Sequence, residues 1–102
     1  MRVEVRFLTT AWLEAVEARE WYASRRDLLG IAFFREMERQ IQNIADNPMR
    51  FPVIYNDVRR AILMKFPYIL YFKIENESAI VIACFHSSRN PSKLSGHIKK
   101  IN

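Results

Sequence analysis

The chain has 102 residues, of which 50% are hydrophobic, 26% charged and only two glycine. At this length folding hides roughly 65% of the surface of the unfolded chain, enough for one core and not for two. A multidomain enzyme is excluded, and residues 1–102 are expected to form a single domain with 92–102 as its terminal segment. Aromatic residues at 13% exclude the low-hydrophobicity composition of a disordered chain. Sixteen Lys and Arg face eleven Asp and Glu, a formal charge of +5. Residues 1–50 carry eight of each sign, whereas residues 51–102 carry eight basic residues against only Asp57, Glu75 and Glu77. The whole excess therefore sits in the second half, where it suits an anionic partner.

Val3, Val5 and Phe7 alternate with Glu4 and Arg6, the period of a half-buried strand. Thr9-Thr10 then offers a hydroxyl N-cap for an amphipathic helix over about 10–25. Trp12, Ala15, Val16, Tyr22 and Ala23 share one broad face of it, and Trp21 stands half a turn away from Trp12. After Arg25-Arg26-Asp27 a second helix runs to Asp46, with Phe33, Phe34, Met37, Ile41 and Ile44 as its apolar stripe. Asn47-Pro48 ends it, because the residue before proline is pushed out of the helical region. The two helices form a hairpin.

Residues 49–57 carry little periodicity and read as a loop. Three strands are expected next, Arg59–Met64, Tyr68–Ile74 and Ala79–Phe85, joined by connectors of hairpin length. The last two are nearly continuous apolar runs, as suits central strands. The single cysteine, Cys84, lies in the longest apolar run, residues 79–85, and reads as a buried, inert thiol. That run is far shorter than the ~20 residues that span a bilayer, and the charged N-terminus has no secretory pattern, so a cytoplasmic protein without membrane contact is expected. After His86 the sequence turns polar, and His97, Lys99 and Lys100 read as a solvated tail. The order β-α-α-β-β-β specifies an α+β domain, a helical hairpin on one face of a small, mainly antiparallel sheet.

Several of these residues together resemble the RelE/ParE superfamily of type II toxins. They are Trp21-Tyr22 late in the first helix, Asn47-Pro48 after the second, Arg59-Arg60 opening a strand, Phe66-Pro67-Tyr68, and the closing His86-Ser87-Ser88-Arg89-Asn90-Pro91. The Phe-Pro-Tyr turn and the His-x-x-Arg-Asn-Pro ending resemble the ParE-like and plasmid-stabilisation branch most. Leu94 departs from it, standing near where many relatives carry tryptophan. The resemblance implies a small toxin neutralised by a cognate antitoxin with which it forms a hetero-oligomer. ParE-like members act against DNA gyrase without an established hydrolytic site, whereas RelE-like members cleave mRNA on the ribosome.

Metal-independent RNA cleavage needs a base for the 2′-OH proton, a cation for the charge developing on phosphate, and an acid for the leaving oxygen. His86, Arg89 and Arg59 are the candidates for those roles. Arg59, Arg60, Lys65, Arg89 and Lys93 are the candidates for binding an anion or a target. Strand alternation from Arg59 is expected to put Arg59 and Lys65 on the sheet face away from the helices, with Ile62, Met64 and Phe66 on the other. The set is thin for a nuclease, since no tyrosine follows Tyr71 to serve as a late-chain acid. The bland alternatives are equally concrete: His86 as a structural imidazole hydrogen-bonded to a neighbour, and Arg89 tying down the terminal segment through a carboxylate. Two histidines eleven residues apart and one buried cysteine make no metal ligand set, and no cofactor is expected.

Overall fold

A computed structural model describes residues 2–99. The elements are strand β1 (Glu4–Phe7), helix α1 (Thr9–Arg25), helix α2 (Asp27–Asp46), β2 (Val53–Tyr55), β3 (Val58–Ile62), β4 (Tyr68–Glu75), β5 (Ser78–His86) and helix α3 (Leu94–Lys99). The expected helical hairpin and mainly antiparallel sheet are both present. Arg26 alone separates the two helices. Tyr22 stacks on Phe33 with ring centroids 5.4 Å apart. At the tightest point of the hairpin a Cβ on Gly30 would meet the Cβ of Ala23 at 2.8 Å, so glycine is what lets the helices approach there.

Helix α1 begins at Thr9, so that Leu8 rather than a threonine occupies the cap position, and it has no side-chain cap. Leu8 is the reason: its N–H still belongs to the sheet, donating to Val81 O, while its carbonyl accepts the first helical bond from Trp12. The line of α1 that meets the sheet is made of small residues, Ala11, Ala15 and Ala18, all buried. Trp12 instead lies at the rim, against Phe7 and Phe34. On α2 the expected stripe is buried at Phe33, Met37 and Ile44 and half-buried at Phe34 and Ile41.

The sheet has five strands in the order β1-β5-β4-β3-β2, with β1 parallel to β5 and the other pairs antiparallel. Two differences from the expected chain order matter. The stretch expected to be a loop contains a 3-10 turn, Pro48–Arg50, and the short edge strand β2, which three residues of sequence are too few to announce. The terminal segment is also built: a 3-10 turn, Pro91–Lys93, leads into α3, whose Leu94 is fully buried.

Leu94 helps cover the sheet face opposite the helical hairpin, in a cluster with Val58, Ile69, Tyr71, Ile82, Ala83 and Phe85. The hairpin face holds the other cluster, with Phe33, Met37, Leu70, Phe72, Val81 and Cys84 among its members. Strand β5 switches faces part-way. Tyr71 pairs with Ala83 but Phe72 with Val81, so Ile82 is an extra residue in the ladder. Such a bulge offsets the two-residue alternation. Before it Ala79 and Val81 face the helices; after it Cys84 does, and by the same alternation His86.

The face expected for Arg59 is reversed. Ala61 and Leu63 are 1% and 2% exposed within the hairpin-side core, and Arg59 shares their parity, whereas Ile62 and Met64 are 51% and 71% exposed. The strand ends at Ile62, so alternation no longer governs Lys65 or the buried Phe66. Chain reversal after β4 is tight: Asn76 and Glu77 both adopt left-handed backbone, φ 51° and 64°, as a two-residue hairpin turn requires. We predict that Gly30→Ala lowers stability by about 1–3 kcal/mol, because the helices must separate to admit the methyl. Urea unfolding of the two proteins checks this.

Candidate functional site

The bulge in β5 and the helix α1 together shape a cavity of about 270 Å³ lined by Glu14, Glu17, Ala18, Trp21, Tyr68, Cys84, His86 and Arg89. Tyr68 pairs directly with His86 across β4 and β5, and their rings meet edge to face at 5.2 Å. Trp21, 52% exposed, forms the outer wall, with the Arg25 guanidinium 4.7 Å from its ring centre.

Glu14 organises this region. Strand β1 ends opposite Val81, while β5 runs on to His86, so the β5 edge beyond is left without a strand partner. Glu14 fills the gap: its Oε1 accepts the Cys84 N–H at 2.9 Å. Its other oxygen, Oε2, lies 2.9 Å from His97 Nε2 and 3.5 Å from an Arg89 guanidinium nitrogen. Arg89 also lies over the Phe85 ring at 3.9 Å, and His97 packs against the same ring at 5.1 Å. A single carboxylate thus joins α1, the β5 edge, the turn after β5, and α3.

His86 is exposed, yet its ring is oriented from within the chain. The Ser88 N–H donates to Nδ1 at 3.0 Å, with the Ser88 hydroxyl at 2.8 Å from the same atom. Because a backbone amide is always a donor, Nδ1 carries the lone pair and the proton of the neutral ring sits on Nε2. The phenol of Tyr68 is pushed above its ordinary range, first by burial and then by Tyr22, Cys84 and Glu17, so it remains a neutral donor at physiological pH. Burial, with a smaller contribution from Glu14, pushes the Cys84 thiol up to about 12. The reading of Cys84 as buried and inert agrees with both.

Residues 5–91 match a family described as the ParE toxin of the type II toxin–antitoxin system, parDE. The chain belongs to the ParE toxin family. No curated protein matches it. Among solved structures it is similar in fold to a chain from the chromosomal ParDE toxin–antitoxin system of P. aeruginosa, with a TM-score of 0.73 at 10% sequence identity, over 83% of this chain and 96% of that one.

Within this ParE-family chain the residues singled out from sequence are dispersed. His86 and Arg89 share the cavity. Arg59 does not reach it: its guanidinium donates to the carbonyls of Phe51 at 2.7 Å and Met49 at 3.2 Å, fastening the segment before β2. It also pairs with Phe72, four residues along β4 from the Tyr68–His86 pair, about 13 Å away along the strand. Arg60 is exposed on the opposite face, beside Tyr71, Lys65 is exposed in the turn after β3, and Lys93 is exposed in the turn before α3. Histidine 97 is a correction, since a residue read as solvated tail is 8% exposed. Lys100 lies outside the described residues, as does the side chain of Lys99. Glu14 was not singled out from sequence, although its place between Ala11 and Ala18, at i+3 and i−4, puts it on the flank of the buried line. Among the described residues no group of three or more His, Cys, Asp or Glu is placed to hold a metal ion, and no helix is long and apolar enough to cross a membrane.

The Cys84 thiol gives a pH signature. Its proton is held to about pH 12 in the folded protein against about 9 when solvated, so the stability it confers is full below pH 9 and is lost toward pH 12. Stability is expected to fall by about 1.4 kcal/mol per pH unit across that window from this group. Urea midpoints at pH 8 and 10.5 test it: the drop is expected to be smaller in Cys84→Ala than in the parent, and the folded thiol to resist alkylation at pH 8.

Proposed function

We propose that this chain acts in the cytoplasm as a growth-inhibiting toxin that binds and blocks an essential protein, DNA gyrase, without hydrolytic chemistry, and that a cognate antitoxin neutralises it. On this reading the whole chain is one toxin domain with 92–102 as its terminal segment. Family membership supports the toxin reading, and one observation favours binding over catalysis: the groups that a ribonuclease would need are already engaged inside the chain.

A base must offer a free lone pair to the 2′-OH, and a placed acid or base contributes about 10²–10⁴ in rate. The lone pair of His86 is on Nδ1, where it accepts the Ser88 amide. Protonating Nδ1 would set two donors face to face. The nearest cation, Arg89, is paired with Glu14 and stacked on Phe85, and Glu14 and Glu17 line the same cavity. Two carboxylates beside one committed guanidinium repel a phosphate more than they attract it. Arg59, the remaining cation of the sequence-based set, is bonded to carbonyls at the far end of the sheet. Of the candidate cations, Arg60, Lys65 and Lys93 are exposed away from the cavity, which suits an acidic antitoxin.

Induced expression is expected to arrest growth, and purified protein is expected to inhibit gyrase supercoiling. His86→Ala is expected to retain at least half of that inhibition, and ribosome-engaged mRNA to stay intact. Cleavage of mRNA that disappears in His86→Ala would instead establish the ribosome-dependent endoribonuclease.

A further inference from the structure

Helix α3 has six residues, well short of the roughly 12–15 that an isolated helix needs to be even marginally stable in water. Its fold therefore depends on docking, and among the described residues it docks at two points. Leu94 is fully buried among Val58, Tyr71, Ile82 and Phe85. His97 is bound to Glu14 at 2.9 Å and packed on Phe85. Behind it, residues 86–89 are held by the Ser87 N–H to Pro67 O and by Arg89 on Glu14 and Phe85, whereas residues 90–93 are exposed and bonded only within their own turn.

Gly96 sits between the two anchors. A Cβ built there meets nothing within 4 Å, and its φ lies outside the left-handed region. Neither crowding nor backbone geometry calls for glycine, unlike Gly30. Its effect is energetic: glycine in a helix raises the cost of forming that helix relative to alanine.

We propose that α3 is a latched lid. Closed, the Glu14–His97 bond holds it over the outer sheet face; open, it swings about residues 90–93, with Arg89 still on Glu14 and Phe85, and bares Ile82, Tyr71 and Val58. Gly96 keeps the closed state only modestly favoured, and the Glu14 carboxylate sets the balance. The lid rests on the fold and the Glu14 contacts alone, independently of the target.

Hydrogen exchange of the α3 amides in the full chain tests it from both sides. Gly96→Ala adds a methyl to open space and is expected to slow their exchange about five-fold. His97→Phe keeps a ring against Phe85 but removes the bond to Glu14, and is expected to speed it about ten-fold, with β4 and β5 amides changed less than two-fold and increased binding of the apolar dye ANS. Two results would overturn the lid: α3 amides exchanging in the parent at the rate of the β4–β5 core, which means that they open only with global unfolding, or no slowing in Gly96→Ala. The glycine replacement removes no contact, so it remains decisive even if His97→Phe fails to fold.

Discussion

The Glu14 carboxylate resolves a constraint that the sheet imposes. A parallel strand of four residues, β1, lies beside a β5 of nine, and the longer strand must do something with the edge that the shorter one leaves. An amide buried there without a partner would cost about 1–3 kcal/mol. Helix α1 starts where β1 stops and passes that edge on its alanine line, close enough for one glutamate to reach the Cys84 N–H. Once the carboxylate is held there, its second oxygen gathers His97 and Arg89. The position of α3, the turn after β5 and one wall of the cavity all follow.

That arrangement changes what the basic residues mean. A histidine followed three residues later by an arginine, at the end of a strand in a basic protein, suggests phosphate chemistry. In the folded chain the arginine neutralises a carboxylate and the imidazole lone pair accepts a neighbouring amide. These are the structural roles that a strand-final histidine and an arginine ahead of Asn-Pro most simply take. The other candidate cations lie elsewhere, Arg60, Lys65 and Lys93 being spread over the outer face, a turn and the approach to α3. Dispersed cations serve electrostatic complementarity with a partner better than they serve the stabilisation of one transition state.

The helical hairpin and the central strands were legible because their signals are long and repeated: five stripe residues on α2, and two apolar runs bounded by hairpin turns. The register of β3 was not, because Arg59-Arg60 offers a cation to either face. The burial of Ala61 and Leu63 decides between the faces, and that depends on what the helices cover. The bulge at Ile82 was invisible for a similar reason, since in a run of seven apolar residues no alternation exists to be interrupted. The family resemblance, carried by motifs at element ends, agrees with the family match over residues 5–91. Missing from the sequence reading was the far contact: Glu14 and His97 are 83 residues apart, and nothing local in either marks the other.

The dependence of this architecture on Glu14 is measured most directly by a double-mutant cycle. Glu14→Ala, His97→Ala and the double variant would be unfolded in urea beside the parent at pH 7. A coupling energy of about 1 kcal/mol or more is expected, beyond the roughly 0.3–0.5 kcal/mol within which independent sites add. Additivity within that margin would mean that the carboxylate does not hold α3, and the account of the site built on it would fail.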